Sequence, residues 1–350
     1  MNSLRSNVPF TTPVLFLIFN RPETTRRVME AIRKIRPAKL YIAADGPRPN
    51  RKEDVEKCKE VREIASVIDW ECDVTKLFRN ENLGCGKGPS SAISWFFEHE
   101  TEGIILEDDC LPSPDFFPFC AELLERYRYD TRIMEIGGNN FEKERGNGEY
   151  SYFFSNMIYI WGWATWRRAW KLYDYEMNHY NEITDKRYLD GHYDFNYERD
   201  HFNYIFKKMH TGDDRLSRKS VWDYQWQFIC KINSGLIIVP ERNLVTNLGF
   251  GADATNTKDP VGIGHDLKLD EMVFPLTHPE FTLVSRQRDH WYFNEVCSSR
   301  ATRIKSNLKR FIPNLVLEMV KLLFQKHMQL TTRSKDIRLS PEPRMLENQS

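Results

Sequence analysis

The chain has 350 residues, 41% of them hydrophobic and 29% charged, enough for one large or two medium globular domains with a sizeable core. Fifty basic residues balance fifty acidic ones, which excludes a globally basic nucleic-acid binder and a strongly acidic disordered chain. The seven cysteines form no Cys-x-x-Cys pair and no zinc-like Cys/His spacing, a pattern that fits reduced thiols in a cytoplasmic protein. The start of the chain does not read as a secretory signal, and the apolar run at 14–19 is too short to span a membrane.

Residues 1–12 read as a leader. The run at 14–19 is continuous and apolar, as a buried parallel strand is. Pro22 follows it, and residues 23–35 carry helical spacing through Val28, Ile32 and Ile35. A second strand is predicted at 39–44, ending in the turn signal Asp45-Gly46-Pro47. Further elements follow: a helix at 53–68, a strand at 74–78, a helix at 89–99, a strand at 103–106, a helix at 114–128 and a strand at 133–136. This alternation predicts an α/β fold, an open, mainly parallel twisted sheet flanked by helices. Residues 13–140 form its Rossmann-like nucleotide-binding half. Residues 141–295 are aromatic-rich and read as the acceptor-binding and catalytic half. Residues 296–350 form a tail: ten basic and two acidic residues between 300 and 340 leave the rest of the chain acidic.

In such sheets ligands bind at the carboxyl ends of the strands. Asn20-Arg21, Asp45-Gly46, Arg79-Asn80 and Glu107-Asp108-Asp109 all follow strands and are expected along one rim. Three carboxylates after an apolar strand are costly unless a cation meets them, and carboxylate oxygens suit Mg²⁺ or Mn²⁺. An acidic loop facing water is the plain alternative. Arg21 is placed to meet a diphosphate or base, and Asp45 to accept from a uracil or ribose; a surface arginine and a turn-forming aspartate are the plain readings. The glycine-rich turn 84–88 lacks P-loop spacing, yet such a turn before a helix brings amides or Lys87 toward a phosphate.

The aromatic cluster 161–166, with Trp161, Gly162 and Trp163, reads either as an open groove on which a sugar stacks or as a core strand running into a helix. Trp222-Asp223-Tyr224 sets a carboxylate among aromatics, as a base with a raised pKa or as a helix cap. The segment 247–255, with Gly249 and Phe250, is small, polar and suited to closing over a ligand.

In order, VLFLIFNRP, YIAADGP, FRNENLGCGKG, IILEDD, IWGWATW, VWDYQW and NLGFG resemble the GT-A class of nucleotide-sugar glycosyltransferases. Within that class they are similar to the inverting transferase that adds N-acetylglucosamine to mannose of N-glycans, and to bacterial sugar transferases of the same build. The resemblance covers residues 13–260. It implies a metal-dependent inverting transferase moving a sugar from a UDP-sugar to a glycan or lipid-linked glycan acceptor, in bacterial surface polysaccharide synthesis. It also implies that Asp109 holds Mn²⁺ (or Mg²⁺), that Glu107 and Asp108 face the nucleotide sugar, and that Asp45 binds uridine. Asn20, Arg21, Gly46, Arg79 and Lys87 would belong to the nucleotide-sugar side, and Trp161, Gly162, Trp163, Trp222, Gly249 and Phe250 to the acceptor or sugar side. Asp223 would be the catalytic base, although Tyr224 departs from the family's Trp-Asp-Asp.

Two alternatives stand beside this reading. A sugar nucleotidyltransferase shares the sheet but calls for a glycine-rich basic loop after its first strand, where this chain has Phe19-Asn20-Arg21-Pro22. A non-catalytic membrane-surface binding protein would use residues 303–326, which read as a basic amphipathic helix at the inner face of a membrane.

Overall fold

The computed structural model describes residues 9–142, 148–212, 217–249 and 267–298. The chain divides into two compact units, Met1–Cys297 and Ser298–Ser350. The first unit holds the sheet and its helices; the tail from residue 299 onward, including 303–326, lies outside the described residues.

The first unit opens with β1 (Val14–Ile18), α1 (Pro22–Ile35), β2 (Lys39–Ala44), α2 (Lys52–Ser66), β3 (Asp73–Phe78), α3 (Gly84–His99) and β4 (Glu102–Glu107). A short β5 (Cys110–Pro112), α4 (Phe116–Arg126), β6 (Ile133–Gly137), β7 (Tyr152–Ser155) and β8 (Trp163–Trp166) follow. Then come α5 (Arg167–Trp170), α6 (Tyr180–Asp185), α7 (Asn196–Thr211), α8 (Asp223–Ile232), β9 (Leu236–Pro240), β10 (Val245–Asn247) and α9 (Arg286–Tyr292), which runs into a π-helical turn at Phe293–Cys297.

Eight strands make one sheet in the order β3-β2-β1-β4-β8-β6-β9-β7, and β5 pairs with β10 in a small ribbon. Following the pairings across the sheet, β8 and β7 run against the other six strands. The fold is therefore α/β with an open, mainly parallel sheet, as the alternation of elements predicts. Beyond residue 140 three further strands, β7, β8 and β9, complete this sheet.

Both faces are covered, which explains why β1 is apolar at every position. Val14, Phe16 and Ile18 enter one core with Val28 and Ile32 of α1, Val61 of α2 and Leu123 of α4. Leu15 and Leu17 enter the other with Ile93 and Phe96 of α3 and Trp226 of α8. Each such side chain contributes about 1.5–3 kcal/mol when fully buried. Helix α3 starts at Gly84, ahead of the predicted start at Pro89. Pro89 lies inside the helix, where it forgoes one N–H donor, and Gly84 enters it at φ 77°. Asp45 fixes that start, accepting hydrogen bonds from the Leu83 and Gly84 N–H groups at 3.0 and 3.1 Å.

Candidate active site

The parallel strands bring the expected residues to one rim. β1 and β4 are direct neighbours, with Leu17 opposite Glu107, so Arg21 just beyond β1 reaches the acidic triplet just beyond β4. Arg21 Nη1 donates to Asp108 Oδ1 at 3.0 Å and to Asp109 Oδ2 at 2.8 Å. The other oxygen of Asp108 accepts from the Phe19 N–H at 2.9 Å, and Trp222 Nε1 donates to Glu107 Oε1 at 3.3 Å. The triplet is not an acidic loop facing water, since Asp108 and Asp109 are buried.

Electrostatics follow from this enclosure. Burial works against the charge on Arg21, but Asp108 and Asp109, with Glu107 behind them, outweigh it and hold the guanidinium protonated. Burial pushes the Glu107 carboxyl up, and the charges of Asp109 and Asp108 push it further. Burial also raises Asp108, against the pull of Arg21.

Asn20 and Asp45 face inward contacts. Asn20 donates to Asp54 Oδ1 at 2.8 Å, and Arg48 grips the same carboxylate with its backbone N–H, Nε and Nη2. Asp54 is fully buried, and the Arg48 hydrogen bonds hold its carboxyl down at about 2. Sequence reasoning missed Asp54, which is hidden among the many charged residues of α2. Asp45 accepts from Asn82 Nδ2 at 3.0 Å as well as from the two α3 amides, and burial raises its carboxyl. Gly46 presses against the backbone of Asn80 and Glu81, where no Cβ fits. Arg79 donates to Ser91 Oγ at 3.0 Å, while Lys87 is exposed.

Three of the amides at the start of α3 are engaged internally. Those of Leu83 and Gly84 go to Asp45, and that of Gly86 to the Lys219 carbonyl at 3.2 Å. Gly86 lies so close to the Arg218 carbonyl that a Cβ there would overlap it. The expectation that this turn offers these amides to a phosphate is corrected accordingly.

The aromatic groove is corrected too. Trp163 is 1% and Trp222 4% exposed, and their rings stack on each other at 5.6 Å. They form core, the strand running into a helix, and present no open face to a sugar. Gly162 is buried beside them, and Trp161, partly exposed, packs edge-on against Phe141. Asp223 opens α8, its carboxylate accepting from the Tyr224 N–H at 2.9 Å. It keeps some solvent exposure, yet its enclosed surroundings push its carboxyl up to about 6.

The β5–β10 ribbon carries the segment after Asn247 back over the triplet. Leu248 N–H donates to the Asp109 carbonyl at 2.7 Å, and Gly249 lies against the Asp109 side chain. Phe250 lies outside the described residues. A second carboxylate that sequence reasoning missed is Glu135 in β6. It is fully buried and accepts from Tyr159 N–H at 2.6 Å and Trp226 Nε1 at 2.7 Å. Burial pushes it up to about 7. Its neighbours in β6 are apolar or glycine, and that lone acid was the available signal.

Among the described residues no group of three or more His, Cys, Asp or Glu side chains converges as a metal cage. Asp108 Oδ2 is held by β1's end and Glu107 Oε1 by Trp222, while Asp108 Oδ1 and Asp109 Oδ2 converge on Arg21 and Asp109 Oδ1 meets Cys110 Sγ. That donor set fits Mg²⁺ or Mn²⁺ carried by phosphates, since such ions are commonly held by one or two carboxylates plus substrate phosphate. Among the described residues no helix is long and apolar enough to cross a membrane.

No protein-family model and no curated protein matches this chain. Solved structures do. HddC from Yersinia pseudotuberculosis is similar at 11% identity and a TM-score of 0.26, over 45% of this chain and 78% of that one. The inositol-1-phosphate CTP transferase from T. maritima is similar at 9% identity and a TM-score of 0.35, over 69% and 91%. The 4-diphosphocytidyl-2C-methyl-D-erythritol synthase from Anaerococcus prevotii DSM 20548 is similar at 6% and 0.31, over 66% and 90%. Such likeness concerns the fold alone. The expectation of a UDP-sugar glycosyltransferase is not carried by these neighbours: the two whose names state an activity are a CTP transferase and a diphosphocytidyl synthase.

Proposed function

We propose that this chain is a nucleotide-dependent transferase whose reaction is nucleotidyl transfer. A phosphate oxygen of a phosphorylated sugar or polyol attacks the α-phosphorus of a nucleoside triphosphate. The bond to the β-phosphate oxygen breaks, and pyrophosphate leaves. The observation that carries this reading is the contact between Arg21 and Asp109 at the ends of β1 and β4. A guanidinium and a carboxylate side by side suit a phosphate chain and its accompanying cation. The missing glycine-rich loop weighs less than the sequence alone implied, since Arg21 supplies a cation at that place.

In this reading Arg21 binds phosphate oxygens, and Asp109 holds a Mg²⁺ or Mn²⁺ ion that would supply charge neutralisation at the phosphates. Asn20, Asp45, Gly46 and Arg79 line the nucleoside side of the rim, with Lys87 exposed nearby, and Asp223 stands on the side of the second substrate. The attacking phosphate is already ionised near neutral pH, so the step needs no general base.

Melting of the full chain with Mg²⁺ and each of the four ribonucleoside triphosphates tests this. A ligand at 100 times its Kd adds about 2.7 kcal/mol, or roughly 5 °C in Tm. Pyrophosphate release on adding sugar phosphates should follow with the stabilising nucleotide. Absence of any nucleotide-dependent shift would overturn the proposal.

A further inference from the structure

We infer that Arg21 is a built-in cation that occupies the metal end of this site until phosphates draw it away, so that a divalent ion and a nucleotide enter together. The inference rests on the nucleotidyl-transfer reading and adds a mechanism for ordering the two ligands.

The geometry carries it. One nitrogen, Arg21 Nη1, lies within hydrogen-bond distance of both Asp108 Oδ1 and Asp109 Oδ2. The Phe19 N–H holds Asp108 Oδ2, which leaves Asp108 Oδ1 facing the same Arg21 nitrogen as Asp109 Oδ2. A guanidinium nitrogen 2.8 Å from Asp109 Oδ2 stands where an ion at about 2.0–2.1 Å from the same oxygen would need room. The two cations therefore compete for one carboxylate.

The side chain is built to leave while its backbone stays. The Arg21 carbonyl accepts from the Thr25 N–H at 3.0 Å and from Thr25 Oγ1 at 2.7 Å, and Pro22 begins α1 immediately after it. Release means rotating the side chain away from the two carboxylates, and the Arg21 side chain is already one-quarter exposed. Phosphate oxygens give the guanidinium an alternative partner of the same charge as the carboxylates. Any nucleotide that takes Arg21 raises the affinity of Asp109 for the ion, and by linkage the ion raises the affinity for nucleotide by the same factor.

The test measures Mn²⁺ alone, with no nucleotide, binding to the full chain by the loss of the free-ion electron paramagnetic resonance signal. Arg21→Gln removes the competing charge and should bind Mn²⁺ at least about tenfold tighter than wild type. Arg21→Lys keeps a charge but loses the guanidinium fork, and should fall between them. Adding Asp109→Asn to Arg21→Gln should abolish the gain. Melting without metal checks that each variant is folded, and Arg21→Lys serves if Arg21→Gln is not. Equal or weaker Mn²⁺ binding by the folded Arg21 variants would overturn the inference. The nucleotide reading fails separately: no triphosphate would stabilise the wild type, whatever the variants do with Mn²⁺ alone.

Discussion

Gly249 lies against Asp109 so closely that a Cβ at position 249 would fall inside van der Waals contact of the Asp109 carboxylate, and 2.9 Å from Asn247 Oδ1. The segment after β10 can cross the end of β4 at this height only because residue 249 has no side chain. Gly249→Ala must therefore push either the segment or the Asp109 side chain aside. Metal-dependent nucleotide affinity should fall by about tenfold, a cost of about 1.4 kcal/mol, while Tm changes little. Isothermal titration with Mg²⁺ and the stabilising triphosphate checks this.

Asp109→Ala removes the carboxylate proposed to hold the ion. Metal-dependent nucleotide binding should be lost, because the phosphates would meet Glu107 and Asp108 without a divalent cation. Titration with and without chelator reads the difference. Unchanged affinity in both conditions would reassign the triplet to a structural role with Arg21.

Asp223→Asn separates two roles. A phosphate nucleophile needs no base, so kcat should hold within a few fold. A lost hydrogen bond to the second substrate should raise KM for the phosphorylated sugar by about five- to thirtyfold. A fall in kcat of about 10²-fold, with KM unchanged, would instead mark Asp223 as a general base.

Glu135 makes stability depend on pH. Its carboxyl is raised from 4.5 to about 7, so the folded protein binds this proton more tightly than the unfolded chain does. The contribution is full below about pH 4.5 and is lost as pH rises through about 7, amounting to about 3 kcal/mol. Chemical denaturation between pH 5 and 8.5 should show declining stability, and Glu135→Gln should lessen that decline, leaving the part due to Glu107, Asp108 and Asp223.

Asp54 has the opposite sign. Its carboxyl is lowered from 3.8 to about 2, so its contribution is present above about pH 4 and disappears as pH falls through 2. Asp54→Ala leaves Arg48 without its bidentate partner and frees Asn20. Loss of about 2–3 kcal/mol is expected in urea denaturation, together with weaker nucleotide binding through the displaced Asn20.

The sequence by itself determined the parallel half of the sheet, β1 to β4. Unbroken apolar runs at β1 and β4 read as strands because helices cover both of their faces, and the rule that ligands sit at strand ends pointed to Arg21 and the triplet. The strands after residue 140 were less legible, since β8 is four residues of tryptophan, alanine and threonine and pairs antiparallel on both sides. Local pattern also left Trp163 open between sugar platform and core, and Trp222 was placed on the sugar side by the resemblance alone. Only packing decided it, because their faces are satisfied by each other and by Trp170 and Trp226. The destinations of Asp45 and Glu135 were likewise set by partners far along the chain, and that of Asp54 by Arg48 in the loop before α2 and Asn20 beyond β1: a carboxylate's charge is written in its residue type, but its hydrogen-bond donors are supplied by whichever elements the fold brings beside it.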